Sequence, residues 1–239
     1  MSLAYGTFFG NVVLLPLWLQ EYTGYAATLA GVALAPVGLL AILLTPVVVR
    51  YLNRTDPRVF ASVAFLIFAL APLMRSHFNT NATMWTILVP TVGQGAAMAF
   101  FFVPLISLGL SGLPPERIPA ASGLFNFARI MAGSFGTSIV TTLWDRRATA
   151  HHLQLVEHLG SSGPASTQAL AGLQAGGLDA QQGADVLNRS IDQQAFMLSA
   201  NDIFYASAAL FVALILVVWL ARPLREGASA AKEATAGAH

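Results

Sequence analysis

The chain has 239 residues, of which 56% are hydrophobic and only 10% charged. Water-soluble domains carry roughly 25% charged residues, so an ordinary soluble globule is excluded as the first reading and a polytopic membrane protein takes its place. The net charge of +1 gives no electrostatic case for nucleic acid, and the absence of cysteine removes disulfides, thiolate metal sites and cysteine nucleophiles. Met1 is followed by no basic region, and the first Lys or Arg is Arg50, so no cleavable signal peptide is read.

Long apolar runs set the expected spans. The first covers residues 3–20, with Gly6 and Gly10 as a close-packing face, Asn11 as a lone polar group and Pro16 near its end. The second covers 25–49 and is interrupted by Gly31, Pro36 and Gly38. An arginine-rich loop, Arg50 to Arg58, precedes a short third span at 59–73. Arg75 to Thr83 reads as a polar loop. The fourth span, 84–110, holds Gly93, Gln94 and Gly95, then Phe100, Phe101 and Phe102, then Pro104. The turn SGLPPERIP leads to the fifth span, 118–144. Residues 145–201 read as a partly helical external loop, 202–222 as the last span, and 223–239 as a disordered tail.

The fifth span carries the sharpest signal. An arginine at its mid-depth costs roughly 2.5–3.5 kcal/mol on insertion scales unless it faces protein or a wet cavity. Ser122, Asn126, Arg129, Gly133 and Thr137 recur at helical spacing, so a polar and small stripe runs down one face. Beside it, Ala128, Ala132 and Gly136 let another backbone approach. The span therefore reads as a helix packed inside a bundle with its stripe turned inward. Arg129 in that place either ties helices together or handles substrate or ions, and the residues leave both open.

Basic residues set the expected orientation. Arg50, Arg54, Arg58, Arg117, Arg222, Arg225 and Lys232 fall on one side; Arg75, Arg146, Arg147 and Arg189 fall on the other. The richer side is assigned to the cytoplasm, with both termini inside a bacterial inner membrane. Trp18, Trp85, Trp144 and Trp219 each lie at a span end, the depth of an aromatic belt. His151, His152 and His158 do not form a metal set, because adjacent histidines on a helix point about 100° apart.

There is no Walker A loop, no G-x-S-x-G and no H-E-x-x-H, so neither hydrolytic chemistry nor ATP drive is expected. Gly- and Pro-broken helices around a polar midplane are instead the pattern of a secondary transporter. The three phenylalanines are candidate walls of a greasy pocket.

The run GLFNFARIMAGSFG (residues 123–136) resembles a signature of the fourteen-helix drug:proton antiporters of the major facilitator superfamily, the EmrB/QacA type. So do LPLWLQ at 15–20, TGYAATLAGVALAPVGL at 23–39 and FFFVPL ahead of the LPPER turn. The resemblance implies an all-α integral membrane protein, six transmembrane helices forming the C-terminal half of a major facilitator fold. It implies multidrug efflux by proton antiport, with the proton gradient as energy source and no bound cofactor. The implied partners are the bilayer, an N-terminal transporter half, small hydrophobic or cationic compounds, and, in the EmrB branch, a periplasmic adaptor and an outer-membrane channel. Arg129, Asn126, Ser122, Gln94 and Asn11 are the candidate pathway residues, and Gly6, Gly10, Gly31, Gly133 and Gly136 the candidate packing glycines. The acidic residue and the glycine-rich motif of the N-terminal half have no counterpart here. A six-helix homodimer, acting as carrier, channel or structural subunit, is the alternative.

Overall fold

A computed structural model of the chain describes residues 1–21, 25–52, 55–78, 83–110, 113–160 and 163–220. The tail expected at 223–239 lies outside the described residues. Among them the chain is helical throughout: α1 (Ser2–Glu21), α2 (Ala27–Leu52), α3 (Pro57–Arg75), α4 (Met84–Leu110), a 3₁₀ turn at Pro115–Arg117, α5 (Ile118–Leu159), α6 (Pro164–Ala175) and α7 (Ala180–Leu220).

Local chemistry explains the ends. Asp56 caps α3 by accepting from the Arg58 N–H at 2.9 Å, and Pro57 follows it at a position that needs no N–H partner. Gly160, at φ 63°, closes α5 and donates to Val156 O. Asp179 and Gln182 cap the start of α7 reciprocally: the Gln182 N–H donates to Asp179 Oδ1 at 2.7 Å, and the Asp179 N–H donates to Gln182 Oε1 at 3.1 Å. Inside the spans, Thr45 Oγ1 donates to Ala41 O and Thr91 Oγ1 to Ile87 O, beside Pro46 and Pro90. Hydroxyls bonded to the helix backbone in this way keep polar groups satisfied away from water.

Five of the described helices are long and apolar enough to cross a membrane: α1, α2, α3, α4 over Met84–Ser107, and α7. The expected fifth span is not among them on apolarity, because its polar residues Ser122, Asn126, Arg129, Ser134 and Thr137 dilute the run. Packing nevertheless inserts α5 between α1 and α7. The helix also does not stop at Trp144. It continues to Leu159, about 22 Å further at 1.5 Å per residue, and α7 begins at Ala180. Much of the expected external loop is therefore a helical hairpin capped by α6. Trp144 Nε1 donates to Phe196 O and Ser199 Oγ donates to Trp144 O, clamping its two arms. Beside them, Asp202 accepts from Arg147 Nε at 2.8 Å and lies 2.7 Å from His151 Nε2. These contacts between distant stretches supply what local periodicity did not show.

Glycines set the closest helix contacts. A Cβ on Gly6 would lie 3.1 Å from Ala132 O, and one on Gly10 would lie 2.5 Å from Val140 Cγ2. A Cβ on Gly136 would collide with the Gly6 carbonyl, and one on Gly133 would meet Phe9 at 3.0 Å. The rising register, Gly6 to Ala132 and Gly10 to Val140, shows that α1 and α5 run parallel. Gly31 does not join this seam: a Cβ there meets nothing within 4 Å, because it sits on a side of α2 that no other described helix covers. The corresponding α2–α4 contact is made by Gly95, whose Cβ would lie 2.7 Å from Pro36 O.

Two apolar clusters form the core. One gathers Tyr5, Phe8, Phe65, Phe68, Phe101 and Phe211; the other gathers Leu14, Leu15, Trp18, Phe78, Ile87, Trp144 and Phe204. Trp18 and Trp144 are thus core residues rather than belt residues, since the paired long helices enclose them. Trp85 and Trp219 remain exposed.

Candidate functional site: two arginines at membrane depth

The residues expected to share one pathway separate into two sites. The first is a cleft at the edge of α5. Arg129 is half-buried there and donates through Nη2 to Asn126 Oδ1 at 2.6 Å. Its guanidinium lies 6.0 Å from the centroid of the Phe102 ring, within cation–π range. Tyr5, Ile106, Ser122, Phe125, Asn126 and Arg129 enclose a cavity of about 110 Å³. Ser122 and Asn126 are exposed. The (i, i+3) spacing of Asn126 and Arg129 puts acceptor and cation on one helix face. Next to this cleft, Gly6, Ala132, Phe135, Ile139 and Leu143 line an apolar groove of about 440 Å³ between α1, α5 and α7.

The second site is a polar layer between the two apolar clusters. Asn11 of α1, Arg75 of α3, Thr91 and Gln94 of α4, and Ser207 of α7 are all buried. Asn11 Nδ2 donates to Thr7 O at 2.8 Å and to Ser207 Oγ at 2.9 Å. Arg75 Nη2 donates to Thr91 Oγ1 at 3.2 Å, and its guanidinium lies 5.9 Å from the centroid of the Phe204 ring. Arg75 is 1% exposed, and among the described residues no ion pair reaches it. Its assignment to a polar loop is corrected: α3 continues to Arg75 itself, and the chain stays within the bundle as far as Phe78, whose carbonyl accepts from Asn201 Nδ2. Asn11 and Gln94 therefore belong with Arg75, not with Arg129. A signal was present, since the third span was too short to place Arg75 clear of the bilayer. Loop composition masked it.

The phenylalanine triplet is divided as well. Phe101 is fully buried, edge-on to Tyr5 and Phe68 at 5.1 and 5.2 Å. Phe100 stacks on Phe60 of α3 at 5.9 Å. Phe102 alone turns to Arg129, so Phe100 and Phe101 are packing residues. Successive residues of a helix point about 100° apart, which explains the division.

Helices that bury ionisable and amide side chains at membrane depth, around glycine-mediated seams, define a polytopic membrane protein of transporter type. The chain belongs to the Major Facilitator Superfamily, whose model matches residues 1–137. It is 41% identical over 228 residues to the Multidrug export protein EmrB of Escherichia coli, covering 93% of this chain and 44% of that protein. The Haemophilus influenzae EmrB is 40% identical over 223 residues, with the same coverage of both chains. The Fatty acid resistance protein FarB of Neisseria gonorrhoeae is 37% identical over 222 residues, again over 93% of this chain and 44% of that protein. The chain thus spans less than half the length of the curated relatives it matches.

Proposed function

We propose that this chain is the C-terminal six-span half of a multidrug exporter that works by proton antiport across a bacterial inner membrane. In this reading α5 also crosses the membrane, beside the five apolar helices, its polarity tolerated because its stripe faces a partner bundle rather than lipid. The observation that carries the proposal is the Arg129 cleft. A guanidinium fixed by Asn126 and flanked by Tyr5 and Phe102 opens on an edge of α5 where Ser122 and Asn126 stay exposed among the described residues. A second bundle would close that edge into a central cavity, and rocking of the two bundles would alternate its access. Proton coupling would draw its carboxylate from the other half, since the acidic residues near the spans here, Glu21, Asp56, Asp145 and Asp202, sit towards span ends. A periplasmic adaptor and an outer-membrane channel are compatible partners for the projecting hairpin.

The cleft's charge bears on substrate class. Compounds with an apolar body and an anionic or electron-rich head suit Arg129 and Tyr5 directly, and the name of FarB agrees with such chemistry. Cationic compounds would need an acidic group contributed by the missing half.

The test is Arg129→Ala in the complete two-half transporter. Protonophore-sensitive efflux of a fluorescent dye should be lost while membrane insertion persists. Unchanged efflux would refute the assignment, and robust protonophore-sensitive export by the 239-residue chain alone would favour the homodimer. Orientation is checked separately. A reporter fused after His239 should read cytoplasmic and one inserted at Gly163 external, and the opposite pattern would invert the topology.

A further inference from the structure

The polar layer contains two buried groups with unmet hydrogen-bonding capacity. Asn11 Oδ1 and Arg75 Nε have no partner among the described residues, although their side chains are only 3% and 1% exposed. The amide orientation of Asn11 is fixed by Thr7 O, a carbonyl that can only accept and so takes Nδ2, while the Ser207 hydroxyl could serve either role. The leftover groups are therefore one acceptor on α1 and one donor on α3. Both residues line the same small chamber, together with Gln94, Phe8, Phe68 and Phe211. Its volume is about 10 Å³, close to the smallest space that holds one water.

We propose that this chamber is an internal hydration site for a single water, which accepts from Arg75 Nε–H and donates to Asn11 Oδ1. Its second O–H faces the amide of Gln94. Water fits where a halide does not. An anion would satisfy the guanidinium but would face the carbonyl oxygen of Asn11, a lone-pair acceptor. The consequence is mechanical. Asn11 already joins α1 to α7, and Arg75 joins α3 to α4. The bridge between them ties all four helices into one joint, so that the core of the half moves as a unit. In a low-dielectric interior such a network stabilises only when every member is satisfied, and the water supplies the missing partner.

Radiolytic hydroxyl-radical footprinting of the full chain in lipid nanodiscs tests this, because radicals born from a trapped water oxidise the side chains around it. Phe8, Phe68 and Phe211 should be modified several-fold faster than Phe65 and Phe101, which are equally buried but do not line the chamber. Asn11→Leu should bring the three rates down to those controls. Equal rates in the unaltered chain would show a dry chamber and overturn the proposal without relying on any variant. A rise in melting temperature with chloride over gluconate, lost in Arg75→Gln, would overturn it in favour of an anion.

Discussion

Arg129 and Arg75 are the same side chain placed at membrane depth in two different ways. Arg129 sits at a helix edge, half-buried, answered by an amide three residues away on its own helix and by one aromatic face. Arg75 sits inside the bundle, fully buried, answered by a hydroxyl on another helix and by a different aromatic face. In the first, the Asn126 bond is local to α5 and only the Phe102 contact needs α4. The second exists only when α3, α4 and α7 are packed together. An arginine held by its own helix is free to meet something arriving from outside, whereas one enclosed by its neighbours holds those neighbours in place.

That contrast can be broken by experiment. The largest stability effect is expected from Arg75→Ala, which leaves a cavity and removes the Thr91 bond, a loss of about 2–5 kcal/mol for a buried large-to-small change. Arg129→Ala should cost about 0.5–1 kcal/mol, the scale of an exposed cation–π contact. Thermal unfolding of both variants in detergent measures the difference, and equal losses would erase the distinction between the sites. The next effect tests the seam from which α1 turns Tyr5 to the first site and Asn11 to the second. Gly6→Val pushes a side chain towards Ala132 O and Gly136, and overpacking of this kind costs about 1–3 kcal/mol. Gly31→Val should change almost nothing in the chain alone; a comparable loss there would mean that α2 is covered on its open side. A small effect is also expected from Asp202→Asn. Its pairs with Arg147 and His151 are substantially exposed, with Asp202 at 37% and Arg147 at 54%, and such pairs are worth about 0.2–1 kcal/mol. A larger loss would make the outer hairpin part of the stabilising core.

The shared face of Ser122, Asn126 and Arg129 was legible in the sequence because these residues lie three or four apart on one helix; that Ser122 and Asn126 face outward from the described bundle rather than inward, and that Tyr5 and Phe102 join Arg129, was not. The glycine seam was legible for the same reason on each helix separately. Which row meets which was not: Gly6 faces Gly136, and Gly95 rather than Gly31 serves α2. The Arg75 layer draws on residues from Asn11 to Ser207, and no periodicity links positions so far apart in the chain.

By itself the sequence determined the class of the molecule, because apolar length and charge scarcity are properties of each segment and the bilayer selects on them directly. It likewise determined the face on which Arg129 lies, since helix geometry is fixed by the backbone. Only the tertiary structure decided that Arg75 is interior, that Trp18 and Trp144 belong to the core, and that α5 and α7 run on as a hairpin. Burial is a property of several chain segments meeting at once, and a polar residue reads the same in a loop as in a packed bundle until its neighbours are known.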